Sequence, residues 1–335
     1  MATNARTAPD WLAPYEPTLP LPRLVEEVNR LYHRHEANRY DRRHPELSVQ
    51  CPAYWAEMAA IASRLRPSAK WHILDFGCGT GFATLQLLER LPLASVASVT
   101  CYDLSREMLA RCQEKVSAIF PNARFTTNLD DLSADRPFNL LATNSLLHHL
   151  PDVHGTLASL ATRLSPDAVW LAGHEPSSRY YRNAACVEAL ERYRSSRSDG
   201  ASSWNAPHLP FVRAWRKLQR SITAGASPKR RAAADAHRAG LFGKRPTPTV
   251  IDRLVDYHVA HSVDEAAAGR GFDYEALAEE LRGRWRLAWV RTYSYMGSHY
   301  EANLSAAWRA ECLELARRFP RDGANFCAMW ERAAA

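Results

Sequence analysis

After residue 70, short apolar runs rich in β-branched and aromatic residues alternate with stretches in which apolar residues recur every third or fourth position. The runs are Trp71 to Phe76, Ser98 to Tyr102, Arg124 to Thr127, Phe138 to Thr143 and Val169 to Gly173. The stretches between them have the spacing of amphipathic helices: Phe82, Leu85, Leu87, Leu88 and Leu91, then Met108, Leu109, Cys112, Val116 and Ile119. Ser105 is placed as the N-cap of the second, and Pro151-Asp152 opens a helix predicted to run to Leu164. Strand and helix in alternation is the sequence form of βαβ units. An α/β fold with a mainly parallel sheet and helices on both faces is therefore expected.

From Pro176 to Gly271 the alternation stops and an arginine-, alanine- and aromatic-rich segment of helical spacing takes over. It reads as an insertion. Within it, Thr223 to Thr249 lacks strong periodicity and is expected to be a loose loop. Sheet pattern returns with a helix at Tyr274 to Leu281 and strands at Leu287 to Tyr295 and Phe326 to Trp330. The predicted organisation is a helical N-terminal cap over 1–70, a core over 71–175, a helical lid insertion over 176–271 and the rest of the core over 272–335.

Composition narrows the class without naming a function. With 46% hydrophobic and 24% charged residues, the 335-residue chain has the balance of an ordinary globular protein. No apolar run approaches the ~20 residues of a membrane span, and Met1 to Pro14 lacks the apolar stretch of a secretory signal, so a soluble, cytoplasmic protein without membrane contact is expected. The seven cysteines (51, 78, 101, 112, 186, 312 and 327) never fall as Cys-x-x-Cys and read as reduced core thiols rather than disulfides or zinc ligands. The net charge of +7 is concentrated in one stretch, from Arg213 to Arg245. A solvated helical face with a basic loop accounts for it more simply than a nucleic-acid surface.

The chemistry lies at the end of the first strand. In Leu74-Asp75-Phe76-Gly77-Cys78-Gly79-Thr80-Gly81 a strand runs into a turn with glycine at every second position and then directly into a helix. Such a turn needs φ values closed to other residues and lets a ligand lie against the main chain. The spacing is not that of the dinucleotide fingerprint, and Asp75 would repel a pyrophosphate. An acidic residue there suits a ligand with a positive amino group.

This segment resembles motif I of the class I S-adenosylmethionine (SAM)-dependent methyltransferases, small-molecule branch, and the resemblance extends over about residues 70 to 175. It implies a Rossmann-like, seven-stranded, mainly parallel sheet and SAM as cofactor. Gly77, Cys78, Gly79 and Gly81 then form the turn beside the ligand, with Asp75 next to it. Asp103, ending the second strand in Tyr102-Asp103-Leu104, takes the ribose hydroxyls, and Leu104 packs on the adenine with Met108 nearby. The family usually has an Asp at the adenine amino group; the aligned position here is Asn128, followed by Leu129, with Asp130 as an alternative. Asn144 ends the fourth strand near the methionine part of SAM, and Tyr40 belongs to an N-terminal helix similar to one that covers this pocket.

Methyl transfer is an in-line displacement that requires alignment and, for a protic acceptor, a base. By resemblance, His148 or His149 with Glu175 borders the acceptor. The plainer reading has the histidines cap the strand end and Glu175 pair with a lid arginine. Arg179 and Arg182, near Tyr180, Tyr181, Trp204 and Trp215, suit an aromatic or anionic small-molecule acceptor. His258 and His261 make half a metal site without an assignable partner, and no metal is expected. The expected activity is O- or N-methylation of a small biosynthetic molecule. A peptide or RNA methyltransferase and a non-catalytic SAM-binding protein are the alternatives. DNA methylation is disfavoured, because Asn144-Ser145-Leu146-Leu147 lacks the Pro-Pro-aromatic signature and no proline precedes a cysteine.

Overall fold

The structure, a computed structural model, describes residues 9–132, 137–202, 227–259, 269–297 and 303–333. Seven strands form one open sheet: β1 (Trp71–Phe76), β2 (Val96–Tyr102), β3 (Arg124–Thr126), β4 (Phe138–Asn144), β5 (Leu164–Pro176), β6 (Trp285–Tyr293) and β7 (Asn325–Arg332). Their spatial order is β3-β2-β1-β4-β5-β7-β6. The first five run parallel, and β7 lies antiparallel between β5 and β6. The chain order reverses between β1 and β4, and in open sheets of this kind ligands bind outside the strand ends at that switch point. The Rossmann-like expectation holds.

The longer helices among the described residues are α1 (Leu21–Glu36), α2 (Cys51–Leu65), α3 (Phe82–Arg90), α4 (Arg106–Val116), α5 (Val153–Leu160), α6 (Ala184–Ser202), α7 (Pro228–Arg238), α8 (Pro248–Val255), α9 (Tyr274–Glu280) and α10 (Ala306–Arg318). Central strands are buried on both faces, which is why they read as continuous apolar runs. Ile73, Val99, Leu140 and Leu171 point to one side, where Trp55 of α2, Leu87 of α3 and Cys112 of α4 cover them. Leu74, Leu141, Trp170 and Phe326 point to the other, against Leu157 of α5 and Leu277 of α9. Trp170 stacks on Trp330 with ring centroids 5.3 Å apart, a pairing that adds ~1 kcal/mol to what burial supplies. The expected caps are present: Ser105 Oγ accepts from Met108 N, and Asp152 Oδ1 accepts from Gly155 N. No helix among the described residues is long and apolar enough to cross a membrane.

A third core departs from the expected organisation. The apolar stripe Leu21, Leu24, Val25, Val28 and Leu31 of α1 is buried against Ala232, Ala233 and Ala236 of α7 and Val250, Ile251 and Leu254 of α8. The N-terminal cap and part of the insertion thus share a single helical layer. His35 of α1 and Asp235 of α7 add a hydrogen bond at 2.8 Å. Pro228–Arg238, inside the stretch expected to be a loop, is therefore a helix. Its buried face is alanine, which lets α1 approach closely yet gives almost no hydrophobic period in the sequence. Trp204, Trp215, His261 and the basic residues 213–220 lie outside the described residues.

Candidate active site

Two backbone donors fix the glycine turn to the neighbouring strand: Gly77 N and Cys78 N both donate to Tyr102 O, at 2.8 and 2.9 Å. Gly77, Gly79 and Gly81 have φ of +73°, +53° and +90°, in the left-handed region that favours glycine. The three do different work. A Cβ on Gly77 would lie 2.5 Å from Leu146 Cδ1, and one on Gly81 would lie 3.0 Å from Cys112 Sγ, so both serve close packing. A Cβ on Gly79 would meet nothing within 4 Å, because that position faces an open cleft.

The cleft, of about 330 Å³, lies at the switch point. Asp75, Gly77, Cys78, Gly79, Asp103, Leu104, Met108, Leu129, Asn144, Tyr40 and His149 all line it. Gly81, Asn128, His148 and Glu175 do not, although the sequence suggested ligand or acceptor roles for them. Gly81 is turned toward α4, as its contact with Cys112 shows. Asn128 is engaged as a cap: its Oδ1 accepts from Asp130 N at 3.1 Å, and Leu129 takes the place on the cleft. Asp130 does not line the cleft either.

Asp75 is buried at the end of β1, where Oδ2 accepts from Thr84 N at 3.0 Å and Thr84 Oγ1 at 2.7 Å. Its Oδ1 is buried without a hydrogen-bond partner. Burial, with the neighbouring Cys101, outweighs the Thr84 hydrogen bonds and raises the carboxyl pKa to about 8. Asp103 accepts from Gly79 N and Ser105 N, both at 2.8 Å, and burial raises it to about 6. Asp75 lines the cleft, and a carboxylate with a buried unpaired oxygen is suited to a cationic or hydrogen-bond-donating partner.

Glu175 is fully buried and anchors the loop after β4. Its Oε1 accepts from Leu146 N and Leu147 N at 2.8 and 2.9 Å, and its Oε2 from His148 N at 3.3 Å, with His148 Nδ1 2.9 Å away. Burial works against a charged His148, but Glu175 outweighs it and the pKa is raised. His149 is the opposite case: burial, reinforced by His148, holds it well below the ordinary range. Its Nδ1 donates to Val255 O at 2.6 Å, which fixes the neutral tautomer with the lone pair on Nε2. Of the adjacent pair, His149 is thus the one on the cleft, and it is neutral.

The expected basic contacts are elsewhere. Arg179 pairs with Glu275 at 2.7 Å and Asp322 at 3.4 Å, and Arg182 with Asp273 at 3.0 Å. Both tie Ser178–Arg182 to the α9 region, and Tyr180 is buried. His258 is not free for a metal: Nε2 lies 2.8 Å from Leu150 O, and its N–H donates to His148 O. No described residue of 176–271 lines the cleft. Glu26, Asn29, Arg30 and His33 of α1 do so instead, residues that sequence reading passed over. Their i, i+3, i+4, i+7 spacing, opposite the apolar stripe, was a legible signal. Asn29 Oδ1 and His33 Nδ1 are buried without partners, and burial lowers His33 to about 4.

Comparison with known proteins agrees with this geometry. Residues 74–170 match a family model described as a methyltransferase domain. Over 152 residues, 45% of the chain, the sequence is 32% identical to a trans-aconitate 2-methyltransferase of Pseudomonas aeruginosa, and it spans about half (51%) of that relative's length. It is 31% identical over 104 residues, 30% of the chain, to a malonyl-[acyl-carrier protein] O-methyltransferase of Halalkalibacterium halodurans, of which it spans 37%. Among solved structures, the plantazolicin methyltransferase BpumL with a desmethylPZN analog and SAH covers 94% of this chain and 99% of its own, at 13% identity and a TM-score of 0.44. With the turn, the strand order and the family match in agreement, residues 74–170 are a methyltransferase domain of the class I, SAM-dependent family.

Proposed function

We propose that this protein transfers the methyl group of SAM to an oxygen or nitrogen of a small-molecule acceptor. The observation that carries the reading is that one cleft is lined by Asp75, whose Oδ1 is unpaired, by Asp103 and by the neutral His149. SAM supplies an electrophilic methyl on a sulfonium. Asp75 receives its amino group, Asp103 the ribose hydroxyls, and Leu104, Met108 and Leu129 give the apolar walls for the adenine. Tyr40 and Asn144 bound the methionine end. His149 Nε2 accepts the acceptor's proton, and His148 with Glu175 positions the loop that holds it.

Two features favour a small acceptor over a nucleic acid. Residues of α1 line the cleft, and with Glu26 and Asp152 against Arg30 the lining gives no basic track for phosphates. Relatives named for trans-aconitate and malonyl-[acyl-carrier protein] support a small or carrier-bound acceptor. An anionic acceptor would meet Arg30, which lines the cleft beside its partner Glu27, rather than Arg179 or Arg182, which do not line it. A cytoplasmic setting, with SAM at hand, belongs to the same reading. The insertion contributes through α1, which it supports from behind.

The test is mass spectrometry on metabolite extracts incubated with protein and SAM, seeking a product heavier by one methylene together with SAH. SAM binding without SAH release across all extracts would favour a non-catalytic SAM-binding protein. The Asp75 assignment has its own pH signature. An acid raised to about 8 in the free cleft must lose its proton to receive a cation, so SAM affinity should be full above that pH and fall ~10-fold per unit below it. Calorimetry from pH 9 to 6.5 should show this slope in the wild type and a flat, weak profile in Asp75→Asn. The same slope in both proteins would assign the titration to another group.

A further inference from the structure

Behind the glycine turn lies a cluster that the proposed methyl transfer leaves unused. Cys78 in the turn, Cys101 on β2 and Cys112 on α4 are all buried, and their three Sγ atoms lie within 4.8 Å of one another. We propose that these three thiols bind one soft divalent metal ion of the zinc type. The residues are 23 and 11 positions apart along the chain, with no Cys-x-x-Cys, and only the fold brings them together.

The convergence is built into the same features that shape the turn. Gly81 has no Cβ, and one placed there would come within 3.0 Å of Cys112 Sγ, so glycine lets α4 bring its thiol against the turn. Cys78 is held by its N–H to Tyr102 O at 2.9 Å, one residue beyond Cys101 in β2. Zinc–sulfur bonds of ~2.3 Å place tetrahedral thiolates ~3.8 Å apart, so the sulfurs need close by no more than ~1 Å. Three protein ligands and an open fourth position is a coordination number zinc accepts.

The three thiols also hydrogen-bond to one another. Hydrogen bonds from Cys112 and Cys78 hold Cys101 well below the ordinary thiol range, while burial raises Cys78 and the bond with Cys101 raises Cys112. On binding, each thiol gives up its proton as a metal–sulfur bond replaces its S–H bond. Thr84 Oγ1, whose proton goes to Asp75 Oδ2, lies 3.5 Å from Cys101 Sγ and can accept its S–H in the metal-free thiol. Of the three, Cys78 alone lines the cleft, which makes the cleft the entry path. Cys51, Cys186, Cys312 and Cys327 are buried elsewhere and serve as internal controls.

Cadmium titration of the full-length protein under a phosphine reductant tests the site through the ultraviolet sulfur-to-cadmium charge-transfer band. One equivalent should saturate the band at an intensity for three thiolates, and zinc should remove it. Cys112→Ser should weaken cadmium binding by more than ~100-fold, beyond the cost of disturbing a supporting residue, whereas Cys186→Ser should leave it unchanged. If Cys112→Ser does not fold, the wild-type band decides alone. No band, a band of one thiolate, or a band that persists in folded Cys112→Ser would overturn the proposal and leave the thiols as core packing. Because the readout needs neither SAM nor turnover, failure here is separate from failure of the methyltransferase reading.

Discussion

Gly79→Val should bind SAM more than ~100-fold more weakly than the wild type while keeping the fold. Gly79 has a φ of +53°, and a Cβ there meets no neighbour within 4 Å. The added side chain therefore projects into the space the ligand must occupy, and the protein itself has nothing to clash with. The backbone cost for a branched residue in the left-handed region is ~1–2 kcal/mol, which lowers the melting temperature by a few degrees in a chain of this size. Gly77→Val is the contrast. Its Cβ would overlap Leu146 at 2.5 Å, so that variant should lose stability and binding together. Calorimetry for affinity and thermal unfolding for stability separate the two. Near wild-type SAM affinity in folded Gly79→Val would move the ligand away from this turn.

His149→Ala should reduce kcat by ~10²–10⁴-fold, the range for loss of a positioned base, with the SAM dissociation constant unchanged. The physical basis is the division of labour in the His-His pair. His148 is committed to Glu175 at 2.9 Å and is favoured in its charged form, whereas His149 donates through Nδ1 to Val255 O and presents Nε2 as a lone pair. The charge on His148 and burial keep His149 neutral, since adjacent imidazoles are poorly able to be cationic together. The base should thus stay competent on the acid side of neutrality, and kcat should show no descending limb near pH 6.5. His148→Gln, which keeps a hydrogen bond to Glu175, should retain far more activity than His149→Ala. Equal losses in the two variants, or a base limb at the ordinary histidine pKa, would remove His149 from this role.

The order of elements and most of the residues that line the cleft were legible in the sequence itself. Apolar runs that alternate with helical spacing specify a parallel sheet, because a strand buried on both faces must be apolar at consecutive positions. The turn from Asp75 to Gly81 was legible because close backbone approach at a strand end demands glycine and an acidic neighbour, a constraint local in sequence. Met108 and Ser105 followed from helix periodicity and capping, which are local as well.

What required the tertiary structure was whatever depends on two distant segments. Alanine faces such as Ala232, Ala233 and Ala236 carry little hydrophobic signal, so the helix that closes over α1 was hidden in an expected loop. Arg179 and Arg182 looked available for an acceptor until Asp273, Glu275 and Asp322 were placed beside them, because charge in a sequence does not disclose its partner. The choice between His148 and His149 rested on Glu175 and Val255, one reached through β5 and the other through α8. Sequence alone determined the sheet and the turn, since their physics is a matter of period and backbone freedom over a few residues. Only the fold decided which histidine faces the cleft, which helix lines it and which thiols meet behind it, because burial and hydrogen-bond partnership are properties of residues far apart in the chain.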